Sequence, residues 1–501
     1  TDVDRRQASL ATDRSEVLAA RARVRLGELG SEVVARRTLP ARPGRFEAPP
    51  SDLPPKLASA LATQGIERWY AHQAQAWRIA RTGSDVLLTT GTSSGKSLAY
   101  QAPIVASQLE DGAATALALY PTKALAYDQS ESFARLTHAA GLPSGAVASY
   151  DGDTPTSQRR RIRSEVRTLL TNPDMLHAGV LPHHTLWRRW LTGLRWIVVD
   201  ELHAYRGVLG SHVGNVLRRL LRVCAHYGAT PRVVAASATI ANPAELFRAV
   251  TGREAAVVSE DAAPHAAREV IFWEPPVRPG EDARRRSPVA EASDLAVAFA
   301  RAEVRSLFFC TSRRAAELLT RYARSRLGED DAWRVDTYRA GYDVAERRRI
   351  ETEFAAGRIP VLAATSALEL GVDVGGVDAV AMVGYPGSSM SFWQRAGRAG
   401  RGSERALALL VPGDDPLDEH YLRHPEQILD GAVEAAVADA HNRVLHAAHL
   451  PCAAVERPIA ADEPWLAPEL DLDEVEGLVR LGDRWHAERW FPHRHVALRG
   501  G

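Results

Sequence analysis

The run Thr90-Gly91-Thr92-Ser93-Ser94-Gly95-Lys96-Ser97 has the residue types and spacing of a phosphate-binding loop. Small residues let successive backbone N–H groups turn toward an anion, so Thr92, Ser93, Ser94 and Gly95 would form the cradle. The Lys96 ammonium would reach the β- and γ-phosphates of ATP, and the Ser97 hydroxyl would ligate Mg²⁺. Thr90 stands where Gly or Ala is usual, a change that a small β-branched residue should allow. Further on, Trp196-Ile197-Val198-Val199-Asp200-Glu201-Leu202-His203 places two acids at the end of an apolar run. Asp200 would hold Mg²⁺ through water, and Glu201 would orient and deprotonate the water that attacks in line. His203, next to both acids, reads as a relay of the nucleotide state.

Groups this far apart in sequence need a scaffold, and the apolar runs supply one. Short β-branched runs at 85–89, 115–120, 145–150, 167–171, 195–200 and 232–237 alternate with helical stretches. A second series follows at 306–310, 334–338, 361–365, 379–385 and 406–411. Strands alternating with helices predict parallel, doubly wound sheets, so the core reads as two α/β lobes in tandem. The Pro- and charge-rich stretch 260–289 predicts a linker, residues 1–50 a helical and Pro-rich arm, and residues 416–501 a small appended domain.

The chain has 501 residues, which suggests about three domains, and Lys+Arg and Asp+Glu are both 62. A polyanion must therefore be gripped by a local groove and not by the field of the whole molecule. Only Lys56, Lys96 and Lys123 are lysine, and two of these fall inside motifs. Cys224, Cys310 and Cys452 are too scattered for a disulfide framework or a cysteine zinc site. The charged start without an apolar leader, and the lack of any membrane-length apolar run, predict a cytoplasmic protein.

The series of motifs resembles the superfamily 2 helicases and translocases with an Asp-Glu-x-His box, over most of residues 66–402. In that likeness Tyr70-Ala71-His72-Gln73 is the Q motif, where Gln73 would pair with adenine beside Tyr70. Pro121, Thr122 and Lys123 lie in motif Ia and Asn172-Pro173 in motif Ib, both touching the nucleic-acid backbone. Ser237-Ala238-Thr239 is motif III, whose Ser237 and Thr239 would couple hydrolysis to strand movement. In the second lobe Ser312 and Arg313 (motif IV), Arg339 and Gly341, and Thr365 (motif V) would contact the strand. Gly371 and Asp373 would approach the nucleotide, and the run from Gln394 to Arg401 is motif VI. Arg398 and Arg401 are three apart, so both can face one side as arginine fingers, with Gln394 in the same catalytic set.

Residues 200–212 together with His424-Pro425-Glu426, Asn442 and His449 to Glu456 are similar to the MrfA/SftH group of bacterial DNA helicases, kin to a fungal RecQ-like helicase. The resemblance implies RecA-like lobes at 51–259 and 290–415 and a winged-helix-like domain at 416–501. It also implies a further C-terminal domain with a cysteine cluster, which these residues do not contain. The implied function is an ATP-dependent 3′-to-5′ translocase and helicase on single-stranded or tailed duplex DNA in repair. It would act as a nucleoid-associated monomer with a repair nuclease as partner. An RNA helicase, or a subunit that only binds nucleotide, are the alternatives. Elsewhere, Trp187-Arg188-Arg189-Trp190 should pack its tryptophans inward, the Arg-rich stretch 157–167 should be a solvated helix face or lie beside the strand path, and His493 and His495 lack the partners of a metal site.

Overall fold

The computed structural model describes residues 32–277, 285–338, 342, 344–369, 376–400 and 405–499. The chain folds as two compact units. One holds Arg45–Thr90, Ser94–Ala262 and Ala435–Gly501, and the other holds the chain up to Gly44, Gly91–Ser93 and Ala263–Glu434.

In chain order the strands begin with β1 (Glu32–Leu39), the short pair β2 (Phe46–Glu47) and β3 (Trp69–Tyr70), and β4 (Val86–Leu88). The first lobe continues with β5 (Thr115–Leu119), β6 (Val147–Ser149), β7 (Thr168–Thr171), β8 (Leu194–Val199), β9 (Arg232–Ala236) and β10 (Ala256–Val258). These form a sheet of order β10-β4-β9-β8-β5-β7-β6, parallel throughout. Strands β4, β5, β7 and β8 are almost wholly buried and read as continuous apolar runs, because helices cover both faces. In a parallel sheet every strand ends on the same edge, so the residues after β4, β5, β7, β8 and β9 share one rim. Those residues are the phosphate loop, motifs Ia and Ib, the Asp-Glu-x-His box and motif III.

The second lobe is built from β11 (Ala267–Glu274), β12 (Ser306–Cys310), β13 (Val335–Tyr338), β14 (Val361–Ala364), β15 (Ala379–Val383) and β16 (Arg405–Val411). Its order is β1-β11-β16-β15-β12-β14-β13, with only the edge strand β1 antiparallel. Two expectations are corrected here. Within the stretch read as a linker, Val270-Ile271-Phe272-Trp273 is a buried strand segment of β11, whose apolar run was masked by the prolines and charges that flank it. Within the expected helical arm, residues 32–39 are a strand whose Val33, Val34 and Thr38 suit an edge, while residues 1–31 lie outside the described part.

The segment 416–501 also divides, at Glu434. Up to that residue it packs with the second lobe: Asp418 accepts hydrogen bonds from the backbone N–H groups of Tyr385 and Gly413, both at 2.6 Å. From Ala435 onward it belongs with the first lobe. There the helix Arg443–Glu456 packs on a three-stranded antiparallel sheet of β17 (Ile459–Ala460), β18 (Leu478–Leu481) and β19 (Arg484–Ala487).

A buried polar network welds this small domain to the helix Gly207–His226. Arg219, fully buried, pairs bidentately with Glu456. Its Nη1 also donates to Nδ1 of His177 at 2.9 Å and of His449 at 3.1 Å. With Nδ1 accepting, His449 carries its proton on Nε2 and donates it to His212 Nδ1 at 2.9 Å. His446 bonds Asn215 at 2.7 Å. Burial and the Arg219 charge push His177 down to about 3, burial and the His441 charge push His446 down to about 4, and burial and Arg219 hold His449 well below its ordinary value. Folding therefore favours the neutral imidazoles. Their contribution is complete above the unfolded value of about 6.5 and is lost as pH falls from there toward the folded values. Each depressed histidine should cost up to about 1.4 kcal/mol per pH unit in that window. The melting temperature should therefore drop steeply between pH 7 and pH 5, and a flat profile would show that these rings are not held neutral.

Candidate nucleotide site and nucleic-acid rim

The phosphate loop is held in shape by its own residues and their neighbours. Gly95 sits at φ 75° and caps the helix Lys96–Glu110, whose first N–H groups open onto the loop. The positive φ calls for glycine, and a Cβ there would lie 2.7 Å from Gln73 Nε2 and so push that amide from its place. Thr90, the unusual residue, closes the loop by a 2.7 Å hydrogen bond between its hydroxyl and that of Ser94. Lys96 Nζ donates to the Thr90 carbonyl at 2.9 Å, which keeps the ammonium over the loop.

The Q-motif residues touch this loop directly. Gln73 accepts from the Tyr70 N–H through Oε1 and donates to the Gly95 carbonyl through Nε2, both at 2.9 Å. His72, not singled out from sequence, bonds the Ser94 carbonyl at 2.9 Å. Gln73 is thus a brace of the phosphate loop, and its amide would have to exchange these partners to read adenine. Tyr70 lies among rings, 5.2 Å from Phe46 and stacked 5.6 Å from His72.

After β8, Asp200 is buried and takes hydrogen bonds from the Tyr100 hydroxyl at 3.1 Å and from the Glu201 N–H at 2.9 Å. Burial and the neighbouring Glu201 charge raise its pKa, and Lys96 and Tyr100 oppose the rise. Glu201 itself sits at φ 51°, an uncommon place for a side-chain-bearing residue. Such strain is kept where the surroundings over-determine it. His203 is buried, and its Nδ1 accepts the Ala238 N–H at 3.0 Å. The ring proton is thereby placed on Nε2, 3.5 Å from Glu201 Oε2. Ser237 Oγ is 3.5 Å from the same Nδ1, whereas Thr239 is exposed. The link to motif III therefore runs through the Ala238 backbone, which side-chain reasoning had no means to find.

On the same rim Thr122 caps the helix Lys123–Ala139 by accepting from Leu125 N, and Asn172 caps the next short helix by accepting from Met175 N at 2.9 Å. Pro121, Thr122, Lys123, Asn172, Asp174 and Arg499 line a cavity of about 500 Å³ with Gly152 and Met175, and Pro173 is buried behind Asn172. Trp187 and Trp190 are buried while Arg188 and Arg189 are exposed, as their spacing suggested. The helix Thr156–Glu165 buries none of its residues. His493 lies against His177, whose Nε2 bonds the His493 carbonyl at 3.1 Å.

In the second unit Ser312 caps the helix Arg313–Leu327, with Arg313 exposed. Thr365 precedes a short helical turn at Ser366–Leu368. The helix Ser389–Ala396 carries the start of motif VI with Gln394 and Arg395 buried, and Arg398, in the turn that follows, is buried too. Arg395 donates to Glu369 Oε2 through Nε at 2.9 Å and Nη2 at 2.8 Å, and Arg398 Nη2 donates to the Glu369 carbonyl at 2.7 Å. Glu434 accepts from the N–H groups of Ser389 at 2.5 Å and Met390 at 3.0 Å, which caps that helix. Glu369, Arg395 and Glu434 are the positioning residues that motif reading missed, Glu369 and Arg395 although both stand inside the motifs. Thr92 and Ser93 group with this unit, and a Cβ on Gly397 would come within 1.9 Å of Thr92 Oγ1. Arg339, Gly341, Gly371, Asp373 and Arg401 lie outside the described residues.

Three family descriptions match the chain: DEAD/DEAH box helicase over residues 70–247, helicase conserved C-terminal domain over 292–403, and the winged helix domain of ATP-dependent helicase HRQ1 over 438–501. The chain is 39% identical to ATP-dependent helicase YprA of Bacillus subtilis, over 90% of this chain and 61% of that one. It is 37% identical to ATP-dependent helicase HRQ1 of Saccharomyces cerevisiae, over 93% of this chain and 44% of that one. Among solved structures, the DUF1998 helicase MrfA bound to DNA superposes with a TM-score of 0.87 at 38% identity, covering 93% of this chain and 63% of that one. MrfA bound to DNA and AMPPNP gives the same score and identity. The chain thus spans about half to three fifths of these relatives' lengths.

Proposed function

Because this chain belongs to the superfamily 2 DExH-box helicases, with two helicase lobes and a winged-helix domain like that of HRQ1, we propose that it is an ATP-driven translocase on single-stranded DNA that moves 3′ to 5′ and separates duplexes in repair. One observation carries the reading: Glu201 faces the His203 Nε2 proton while Ala238 holds the other ring nitrogen. A pocket that only stored nucleotide would need no path from the acid to motif III. In the proposed cycle Lys96 compensates phosphate charge, Glu201 accepts the proton of the attacking water, and His203 reports the state of Glu201 to motif III. Strand ligands on the same rim then follow that report.

Mg²⁺ fits the residues present. A hydroxyl at Ser97 and a buried carboxylate at Asp200 are hard oxygen donors, and burial of Asp200 with Glu201 beside it calls for a cation. When bound, Mg²⁺ would neutralise charge developing on the phosphates. The proposal includes action as a cytoplasmic, nucleoid-associated monomer alongside a repair nuclease.

ATP turnover measured with and without oligonucleotides tests the core of the reading, and single-stranded DNA should stimulate it at least tenfold. Stimulation by RNA but not DNA would favour an RNA helicase, since motor contacts to phosphates do not read the 2′-OH. No stimulation by either would leave the static-pocket reading. For polarity, streptavidin on the 5′ end of a strand should be cleared in preference to streptavidin on the 3′ end. The reverse preference would overturn the assignment.

A further inference from the structure

The rim cavity contains a residue from the distal end of the described chain. Arg499, in the region matched to the winged helix, donates through Nε to Asp174 Oδ2 at 2.8 Å and through Nη2 to the Pro121 carbonyl at 2.5 Å. Asp174 belongs to the motif Ib run, and Pro121 to motif Ia. The guanidinium is thus registered against both motifs while its side chain stays 47% exposed. Of the five N–H donors of an arginine these two bonds use two, leaving a fork that matches phosphate geometry.

A second cation lining the cavity repeats the pattern. Lys123 Nζ pairs with Asp153 Oδ2 at 2.8 Å, and both side chains are largely exposed. Each cation of the cavity is therefore balanced by a carboxylate in a surface ion pair, an arrangement that contributes little to stability. Such partners can be exchanged for a phosphodiester, which arginine binds through the same charge-assisted fork.

We propose that Arg499 is a nucleic-acid backbone ligand which the winged-helix region contributes to the motif Ia and Ib cavity, with Asp174 holding its guanidinium until a strand phosphate displaces it. This rests on the reading of that rim as strand-binding. It adds a ligand from outside the two helicase lobes and a competitor built into the site. The rival is that Arg499 and Asp174 merely brace the chain to the lobe.

The test is binding of a fluorescent 20-mer of deoxythymidylate to the 501-residue chain across a salt series, with thermal melting as the folding control. Arg499→Ala should weaken binding about tenfold near 0.1 M salt and make the slope of log affinity against log salt shallower by about 0.7, the value for one lost single-strand phosphate contact. Arg499→Lys should recover the slope but only part of the affinity, because an ammonium keeps the charge and loses the fork. Asp174→Asn should tighten binding severalfold. A brace predicts otherwise: Arg499→Ala and Asp174→Asn would lower the melting temperature alike and leave the salt slope untouched. That result overturns the proposal. Lys123→Ala separates the two levels of the argument. If it weakens binding and Arg499→Ala does not, Arg499 alone is misassigned; if neither changes binding, the reading of the rim falls with it.

Discussion

Glu201→Gln should bind ATP with nearly unchanged affinity and lose turnover by about 10³-fold or more, the scale expected when a group acting only in the transition state is removed. The geometry makes this substitution unusually clean. Glu201 is fixed by its backbone at φ 51°, and its N–H is held by the Asp200 carboxylate, so neither constraint depends on its side chain. A glutamine amide oxygen can still accept from His203 Nε2, and so preserve the path to Ala238 while losing the capacity to take a proton. Lys96→Ala should fail differently. Its ammonium lies over the loop on the Thr90 carbonyl, and its loss removes phosphate charge compensation before chemistry begins. Single-turnover hydrolysis beside equilibrium binding of a fluorescent ATP analogue distinguishes the two. If Glu201→Gln turned over ATP within a few-fold of the native rate, another group would have to be the base.

The contrast between these residues and their supports explains what could be read in advance. Parallel, doubly wound lobes were legible because β4, β5, β7 and β8 are buried on both faces and therefore appear as unbroken apolar runs. Lys96, Asp200, Glu201 and His203 could be singled out because the proposed chemistry calls for particular residue types at strand ends. Strand β11 was not, since its apolar core is short and sits between prolines and an arginine run that speak for a linker. Strand β1 was not, because an edge strand with most side chains exposed gains its order from its pairing with β11, and pairing leaves little trace in local sequence. The supporting contacts were less visible still. Ala238 acts through a backbone N–H, which no residue type announces, and Glu434 caps the motif VI helix from 45 residues away. The histidines of the buried network, spread from His177 to His493, gave no spacing signal because four separate elements bring them together.

Those supports matter for the second large effect, on Arg398. We expect Arg398→Ala to lower kcat by at least about 10²-fold while the dissociation constant for ATP moves by no more than a few-fold, as for an arginine that stabilises charge only in the transition state. The side chain is buried, and its Nη2 bond to the Glu369 carbonyl at 2.7 Å ties it to the turn that follows Thr365. Arg395 holds the carboxylate of the same Glu369. A loss of turnover could thus arise because a finger is missing or because the Glu369 turn has slipped. Arg398→Lys and Glu369→Gln separate these causes. Lysine keeps the charge but lacks the planar fork, so it should remain as slow as alanine if the fork itself engages phosphate. Glu369→Gln weakens the hold on Arg395 and leaves the carbonyl that Arg398 uses, so it should lower the melting temperature more than it lowers kcat. Arg401, outside the described residues, is expected to behave as Arg398 does in the alanine test. Parallel losses of nucleotide binding and turnover in Arg398→Ala would assign this arginine to holding the fold of motifs V and VI and not to the reaction.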